Sequence, residues 1–125
     1  MSTILIIEDN EKNMKLVRDI LLHAGHATLE TPSGREGVRL ARQHRPDRVL
    51  MDIQLPDIDG IEALRHIRSD RALDAMPVLA VSASVMPEEL RMISAAGFDA
   101  YVTKPIALKD FQATVRRFLE HGRST

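Results

Sequence analysis

The chain has 125 residues, 44% hydrophobic and 28% charged, which suits one soluble globular domain. Its 17 lysines and arginines against 18 aspartates and glutamates give no positive excess to favour nucleic acid or anionic lipid. The absence of cysteine excludes disulfides and thiolate metal sites, and no apolar run is long enough to span a membrane. We therefore expect one domain over residues 1–125 without an output domain, no membrane insertion and, since no leader peptide is present, a cytoplasmic location.

Five short apolar runs alternate with longer amphipathic stretches along the chain. Several runs are continuous and β-branched rather than alternating, which is typical of parallel strands covered by helices on both faces. The second run is the most polar and is predicted at an edge of the sheet. The five runs are 3–7, 27–30, 48–51, 78–81 and 100–102.

Helical patterns fill the intervals between these runs. Asn10 is a predicted N-cap, and Ser33 and Glu36 have the spacing of a capping box. The fourth helix is predicted to begin at Pro87 and to end before Gly97. The apolar stripes are Met14, Val17 and Leu21; Val38 and Ala41; Ile61, Leu64 and Ile67; Leu90, Ile93 and Ala96; and Phe111, Val115, Phe118 and Leu119.

The alternation of strand and helix, repeated five times, predicts an α/β fold. A doubly wound, five-stranded parallel sheet with right-handed crossovers is the architecture this order favours.

Polar side chains stand where four of the predicted strands end. Glu8 and Asp9 follow the first strand, Asp52 the third and Ser82 the fourth, and Lys104 comes just after the fifth. Because parallel strands end at the same edge of a sheet, residues scattered from 8 to 104 are expected to converge there, where ligands bind in open α/β folds.

This convergence predicts phosphoryl chemistry. At a separation of ~4 Å and an effective dielectric of ~20, each contact between two carboxylates costs about 4 kcal/mol, which Mg²⁺ would relieve. Asp52 could accept a phosphoryl group as an aspartyl-phosphate, with Lys104 and the Ser82 hydroxyl on the phosphate oxygens. Taken singly, each residue has an ordinary explanation as a cap, a turn residue or a solvated lysine.

Four blocks of sequence resemble the receiver domain of two-component response regulators. They are 4–10, 50–56 with Gly60, 81–83 and 101–106. The run 8–22 and the short C-terminus further resemble single-domain regulators of the DivK type. The resemblance implies a flavodoxin-like (βα)5 sheet with strand order 2-1-3-4-5. It also implies a signalling protein that catalyses only its own phosphorylation and dephosphorylation.

The resemblance implies a phosphoacceptor and a metal site. Asp52 would receive the phosphoryl group from a histidine of a kinase. Asp9 and Asp52, with the backbone carbonyl of Gln54, would hold Mg²⁺, and Glu8 would assist through water.

The resemblance also implies a switch. Ser82 and Lys104 would bind phosphate oxygens, and Tyr101 would turn inward as Ser82 moves toward the phosphate. Most receivers have threonine where this chain has Ser82, and the missing methyl group is expected to loosen the coupling to Tyr101.

Further positions flank the site. Ala83 would keep access to it open, Pro105 follows Lys104, and Gln54 and Ser84 occupy positions that tune how fast water removes the phosphate in this family.

The implied partners are a sensor histidine kinase that also acts as phosphatase, and a histidine phosphotransferase. Direct DNA binding is not expected, and the protein would be a monomer or a weak phosphorylation-dependent dimer. A phosphorelay intermediate and a detached receiver of a hybrid kinase remain alternatives. A small-molecule phosphatase forming an aspartyl-phosphate is disfavoured, because Gln54 stands where such enzymes have a second acid.

Overall fold

The computed structural model describes residues 2–82, 86–104 and 108–120. The strands are β1 Thr3–Ile7, β2 Ala27–Thr31, β3 Arg48–Asp52, β4 Val78–Ser82 and β5 Ala100–Thr103. The helices are α1 Glu11–His23, α2 Gly34–His44, α3 Gly60–Arg68, α4 Pro87–Ala96 and α5 Leu108–Glu120, with a 3-10 turn at Arg71–Leu73. None of the helices in the described ranges has both the length and the apolar character needed to cross a membrane.

The strands form one parallel sheet in the order β2-β1-β3-β4-β5. This confirms the predicted fold class and strand order, and it places the polar strand β2 at an edge. Four strands extend one residue beyond the predicted runs. Two of these extensions reach the site, because parallel pairing continues to Asp52 opposite Val81 and to Ser82 opposite Thr103.

Alternate residues of the strands pack into two separate cores. In β1, Ile4 and Ile6 contact the layer formed by α1 and α5, whereas Leu5 and Ile7 contact the layer formed by α2, α3 and α4. Burial of each such side chain stabilises the fold by about 1.5–3 kcal/mol. Of the stripe predicted for α5, Phe111, Val115 and Phe118 are buried, and the side chain of Leu119 lies outside the described part of the structure.

Two predicted helix caps form, the second in modified geometry. Asn10 caps α1, and the Ser33 hydroxyl accepts the N–H of Glu36 at 3.1 Å. The capping box is only half formed, because the Glu36 carboxylate accepts the Arg39 guanidinium at 2.9 Å. The N–H of Ser33 donates instead to the hydroxyl of Thr31 at 3.2 Å. The start of α2 is thereby joined to the end of β2.

Candidate functional site

Asp52 is the last residue of β3 and lies at the carboxyl edge of the sheet with only 2% of its surface exposed. Its Oδ1 accepts the N–H of Gln54 at 3.0 Å, and its Oδ2 accepts the ammonium of Lys104 at 2.7 Å. A buried carboxylate is costly unless it is paired and hydrogen-bonded. Both conditions are met here, so the predicted phosphoacceptor has a countercharge in contact with it.

Lys104 connects the ends of three strands. Its N–H donates to the carbonyl of Ser82 at 2.7 Å, and its ammonium lies 3.5 Å from Glu8 Oε1 in addition to its contact with Asp52. Burial acts to lower the pKa of Lys104, but the hydrogen bond to Asp52 and the charges of Asp52 and Glu8 outweigh it and raise that pKa. Lys104 is therefore a fixed positive charge across the physiological range.

Glu8 is buried beside Asp52, with 4% of its surface exposed. Its Oε2 accepts the N–H of Asn10 at 3.1 Å. Burial, followed by a hydrogen bond with Asp52, raises the pKa of Glu8 to about 7 against the opposing pull of Asn10 and Lys104. The raised pKa of Glu8 and the countercharge of Lys104 both reduce the carboxylate repulsion expected from the sequence.

The three acids form a group suited to a divalent cation. Glu8, Asp9 and Asp52 each offer a carboxylate oxygen, and these oxygens lie within 4.8 Å of one another. Asp9 is exposed, which leaves the group open to solvent on one side. Carboxylate oxygens with room for water are the surroundings Mg²⁺ prefers. An open depression of about 450 Å³ lies above the acids and is lined by Asp9, Asn10, Asp52, Gln54, Leu55, Pro56 and Lys104.

The predicted switch residues are Ser82, at the end of β4, and Tyr101, in β5. Ser82 is 2% exposed and lines a neighbouring groove of about 350 Å³ between α3 and α4, together with Gln54 and Met92. Tyr101 is 42% exposed, so its ring faces solvent instead of the interior. The flanking positions Ala83, Ser84 and Pro105 lie outside the described residues.

Two supports of the loop after β3 were missed from the sequence, which marked only a turn there. The N–H of Gly60 donates to the carbonyl of Ile53 at 2.7 Å, and a Cβ on Gly60 would lie 2.7 Å from the carbonyl oxygen of Asp52. Only glycine allows α3 to begin so close to the backbone of Asp52. The second support is Asp57, which bonds to α2. The sequence has two aspartates just before α3, and only Asp59 is needed to cap that helix. The second aspartate, Asp57, could therefore have been expected to bond elsewhere.

The family model of the response regulator receiver domain matches residues 4–116. The chain is a response regulator receiver domain. This confirms the prediction made from the four sequence blocks, and the matched range includes the acids after β1, Asp52, Ser82 and Lys104.

Curated receiver proteins of the DivK type match nearly the whole of this receiver domain. The polar-differentiation response regulators DivK of Brucella ovis and Brucella suis are each 43% identical to it over 117 residues. The alignment covers 94% of this chain and 95% of each relative. The resemblance to DivK-type regulators is therefore confirmed.

Solved structures of receiver domains share its fold. The chemotaxis response regulator CheY4 of Vibrio cholerae has a TM-score of 0.88 at 24% identity, with 94% of this chain and 98% of that chain covered. The receiver domain of the sensor histidine kinase PA1611 from Pseudomonas aeruginosa, crystallised with magnesium coordinated in its active-site cleft, has a TM-score of 0.85 at 29% identity. That match covers 96% of this receiver domain and 98% of the other.

Proposed function

We propose that this receiver domain accepts a phosphoryl group on Asp52 from a histidine kinase and signals by phosphorylation-dependent binding to other proteins. The observation that carries the proposal is the 2.7 Å contact between the buried Asp52 carboxylate and Lys104, beneath an open depression of about 450 Å³. A nucleophile paired in this way keeps its countercharge close to the place where phosphate charge arrives. The 43% identity to DivK regulators supports the single-domain role.

Asp52 is the nucleophile of the proposed reaction. One of its carboxylate oxygens forms a bond to phosphorus while the bond from phosphorus to the kinase histidine breaks, and the electron pair leaves with the histidine nitrogen. Lys104 keeps its proton and passes from the carboxylate to a phosphate oxygen, and Ser82 donates its hydroxyl to another. Water later attacks phosphorus, the bond from phosphorus to the Asp52 oxygen breaks, and inorganic phosphate leaves, which restores the carboxylate. These two steps on its own side chain are the only catalysis we assign.

Mg²⁺ is the cofactor we assign to the acidic group. Asp9, Asp52 and the carbonyl of Gln54 would hold it, with Glu8 assisting through water. The fit rests on the three oxygen donors within 4.8 Å of one another and on the exposure of Asp9. When bound, Mg²⁺ neutralises charge on the phosphoryl group during transfer.

Ser82 and Tyr101 form the proposed switch. The position of Ser82 in the neighbouring groove and the exposure of Tyr101 are what we expect before phosphorylation. A phosphoryl group brings added negative charge and three acceptor oxygens to Asp52, which attract the Ser82 hydroxyl and leave space for Tyr101 to turn inward. This movement would change the surface formed by α4, β5 and α5, the element that partners would sense.

The partners we assign are a sensor histidine kinase, acting also as phosphatase, and a histidine phosphotransferase if the domain is a phosphorelay intermediate or a receiver of a hybrid kinase. Similarity to receivers of histidine kinases supports the relay route. We assign residues 1–125 to one receiver domain that acts in the cytoplasm as a monomer or weak phosphorylation-dependent dimer. Direct DNA binding and membrane insertion form no part of the proposal.

Acetyl phosphate with Mg²⁺ tests the phosphoacceptor. The intact protein should gain the mass of one phosphoryl group, and Asp52→Asn should abolish the gain. Asp59→Asn, in the same loop, is the matched control and should still be labelled, because Asp59 caps α3. Labelling of the Asp52→Asn variant, or none in the wild type, would overturn the proposal.

Titration with Mg²⁺ before phosphorylation tests the metal ligands. Calorimetry should detect binding to the wild type, and Asp9→Asn should weaken it by about tenfold or more, since it removes a directly coordinating charge. An unchanged affinity would count against the ligand assignment.

The route of the signal is tested by affinity capture. The phosphorylated wild type and Asp52→Asn are each immobilised, and captured proteins are identified by mass spectrometry. We expect partners specific to the phosphorylated form, and identical captured sets would contradict the switch.

A further inference from the structure

Asp57 lies in the middle of the loop between β3 and α3 but bonds to a different helix. Its carboxylate accepts the Ser33 hydroxyl at 2.8 Å, the N–H of Gly34 at 2.9 Å and the N–H of Arg35 at 3.0 Å. All three donors belong to the start of α2, where unpaired N–H groups favour an anion. These bonds, with that of Arg35 first, hold the pKa of Asp57 well below its usual range. The side chain is therefore a charged tie between the loop and α2.

The loop also packs closely against the first residue of α2, Gly34. A Cβ on Gly34 would lie 2.8 Å from Ile58 Cγ1, 3.1 Å from Leu55 Cδ1 and 3.2 Å from the carbonyl oxygen of Ile58. A side chain at the first position of α2 would therefore push against Ile58 and Leu55 of the loop. The loop thus rests directly on α2, and the bonds of Asp57 hold it in that place.

The tie continues by hydrogen bonds to the end of β1. Ser33 donates its N–H to the hydroxyl of Thr31 at 3.2 Å, and the carbonyl of Thr31 accepts the N–H of Glu8 at 3.0 Å. Thr31 is buried, with 4% of its surface exposed. The backbone at Glu8 and the loop that carries Gln54 are therefore connected through Thr31, Ser33 and Asp57.

We propose that Asp57 is a positioning residue for the metal site, holding the loop after β3 so that the Gln54 carbonyl is presented to Mg²⁺. This inference rests on the proposed function. Mg²⁺ demands nearly ideal octahedral geometry, so even a small displacement of one ligand weakens binding. Other hydrogen bonds, among them that of Gly60 to Ile53 and that of Gln54 to Asp52, support the loop at its two ends. Asp57 supplies the support between them.

Mg²⁺ titration of matched variants tests the role. Asp57→Ala should raise the Mg²⁺ Kd by about tenfold, the lower end of the effect of residues that support metal ligands. Asp57→Asn should raise the Mg²⁺ Kd by less than Asp57→Ala does, because its amide oxygen still accepts the N–H of Gly34. If only the charge of Asp57 mattered, both substitutions would weaken Mg²⁺ binding equally. That result would overturn the positioning role.

A substitution in α2 tests the contact between this helix and the loop without changing Asp57. Gly34→Ala leaves Asp57 intact but places a methyl group against Ile58 and Leu55, and it should also weaken Mg²⁺ binding. This variant keeps the test decisive if Asp57→Ala does not fold. The matched control is Asp70→Ala, which removes a carboxylate bonded to the N–H of Ala72 at 3.0 Å, at the opposite edge of the sheet. It should leave the Mg²⁺ Kd within about twofold of wild type.

Phosphorylation by acetyl phosphate at increasing Mg²⁺ separates positioning from general loss of structure. Asp57→Ala should need more Mg²⁺ for half-maximal rate yet reach nearly the wild-type rate at saturation, whereas partial unfolding would lower the labelled fraction at every Mg²⁺ concentration. A wild-type Mg²⁺ requirement in Asp57→Ala and Gly34→Ala would overturn the positioning role alone. A wild type that neither binds Mg²⁺ nor accepts phosphate would overturn the proposed function instead.

Discussion

The protonation of Glu8 makes the stability of the metal-free protein depend on pH in a predictable direction. Its pKa rises from 4.5 to about 7 on folding, because it is buried and hydrogen-bonded to Asp52. Between these two values the folded chain binds more protons than the unfolded chain, so stability falls as pH increases. The contribution is complete below about pH 4.5 and is lost above about pH 7.

The size of this loss follows from the pKa difference. Each unit corresponds to about 1.4 kcal/mol, so a rise from 4.5 to about 7 gives on the order of 3 kcal/mol as an upper limit. Glu8→Gln has nearly the shape of the protonated acid, can accept the N–H of Asn10 and cannot titrate. The variant should therefore lack this pH-dependent loss.

Urea unfolding followed by circular dichroism, in buffers with EDTA between pH 4.5 and 8, measures the effect. The difference in unfolding free energy between wild type and Glu8→Gln removes the contribution of all groups common to both. We expect the wild type to lose about 2–3 kcal/mol relative to the variant across this range. A difference that does not change with pH, or one that favours the wild type as pH rises, would refute the assignment of a proton to Glu8.

Two further substitutions test supports distant from the site. Arg68→Met should destabilise the fold by about 3–5 kcal/mol and leave Mg²⁺ affinity unchanged, because it removes a guanidinium that contacts Asp99 at 3.2 Å and the carbonyl of Met76 at 2.7 Å. Denaturant unfolding measures the loss, and a change below about 1 kcal/mol would contradict it. Arg45→Gly should stabilise the fold by up to about 1 kcal/mol in the same assay, because Arg45 follows α2 with φ 47°, a left-handed conformation that glycine adopts without strain. The control Gln43→Gly, inside the helix, should destabilise it.

The fold was predictable because local signals agreed with the topology. Continuous apolar runs indicated buried parallel strands, and the caps Asn10 and Ser33 marked helix starts that the structure confirms. The convergence of Glu8, Asp52 and Lys104 followed from topology alone, since parallel strands end at one edge. These features depend on periodicity and chain order, which a single sequence contains.

The remaining features depend on distances between side chains, which a sequence pattern does not fix. The raised pKa of Glu8 follows from its burial beside Asp52, and the pattern of acids after β1 gave no measure of burial. The bond from Asp57 to α2 joins residues more than twenty positions apart, and an aspartate in a loop beside Pro56 carries no sequence mark of such a bond. The half-formed capping box also depends on such distances. Arg39 bonds to the Glu36 carboxylate, and the N–H of Ser33 bonds to the hydroxyl of Thr31.

Identification of the phosphorylated side chain tests the central claim most directly. Borohydride reduces an aspartyl-phosphate to homoserine, which marks the acceptor permanently. After treatment with acetyl phosphate and Mg²⁺, reduction and trypsin digestion, fragment ions of the peptide 49–65 distinguish Asp52 from Asp57 and Asp59. We predict homoserine at position 52. Homoserine at any other aspartate of the chain, or none at all, would contradict the account.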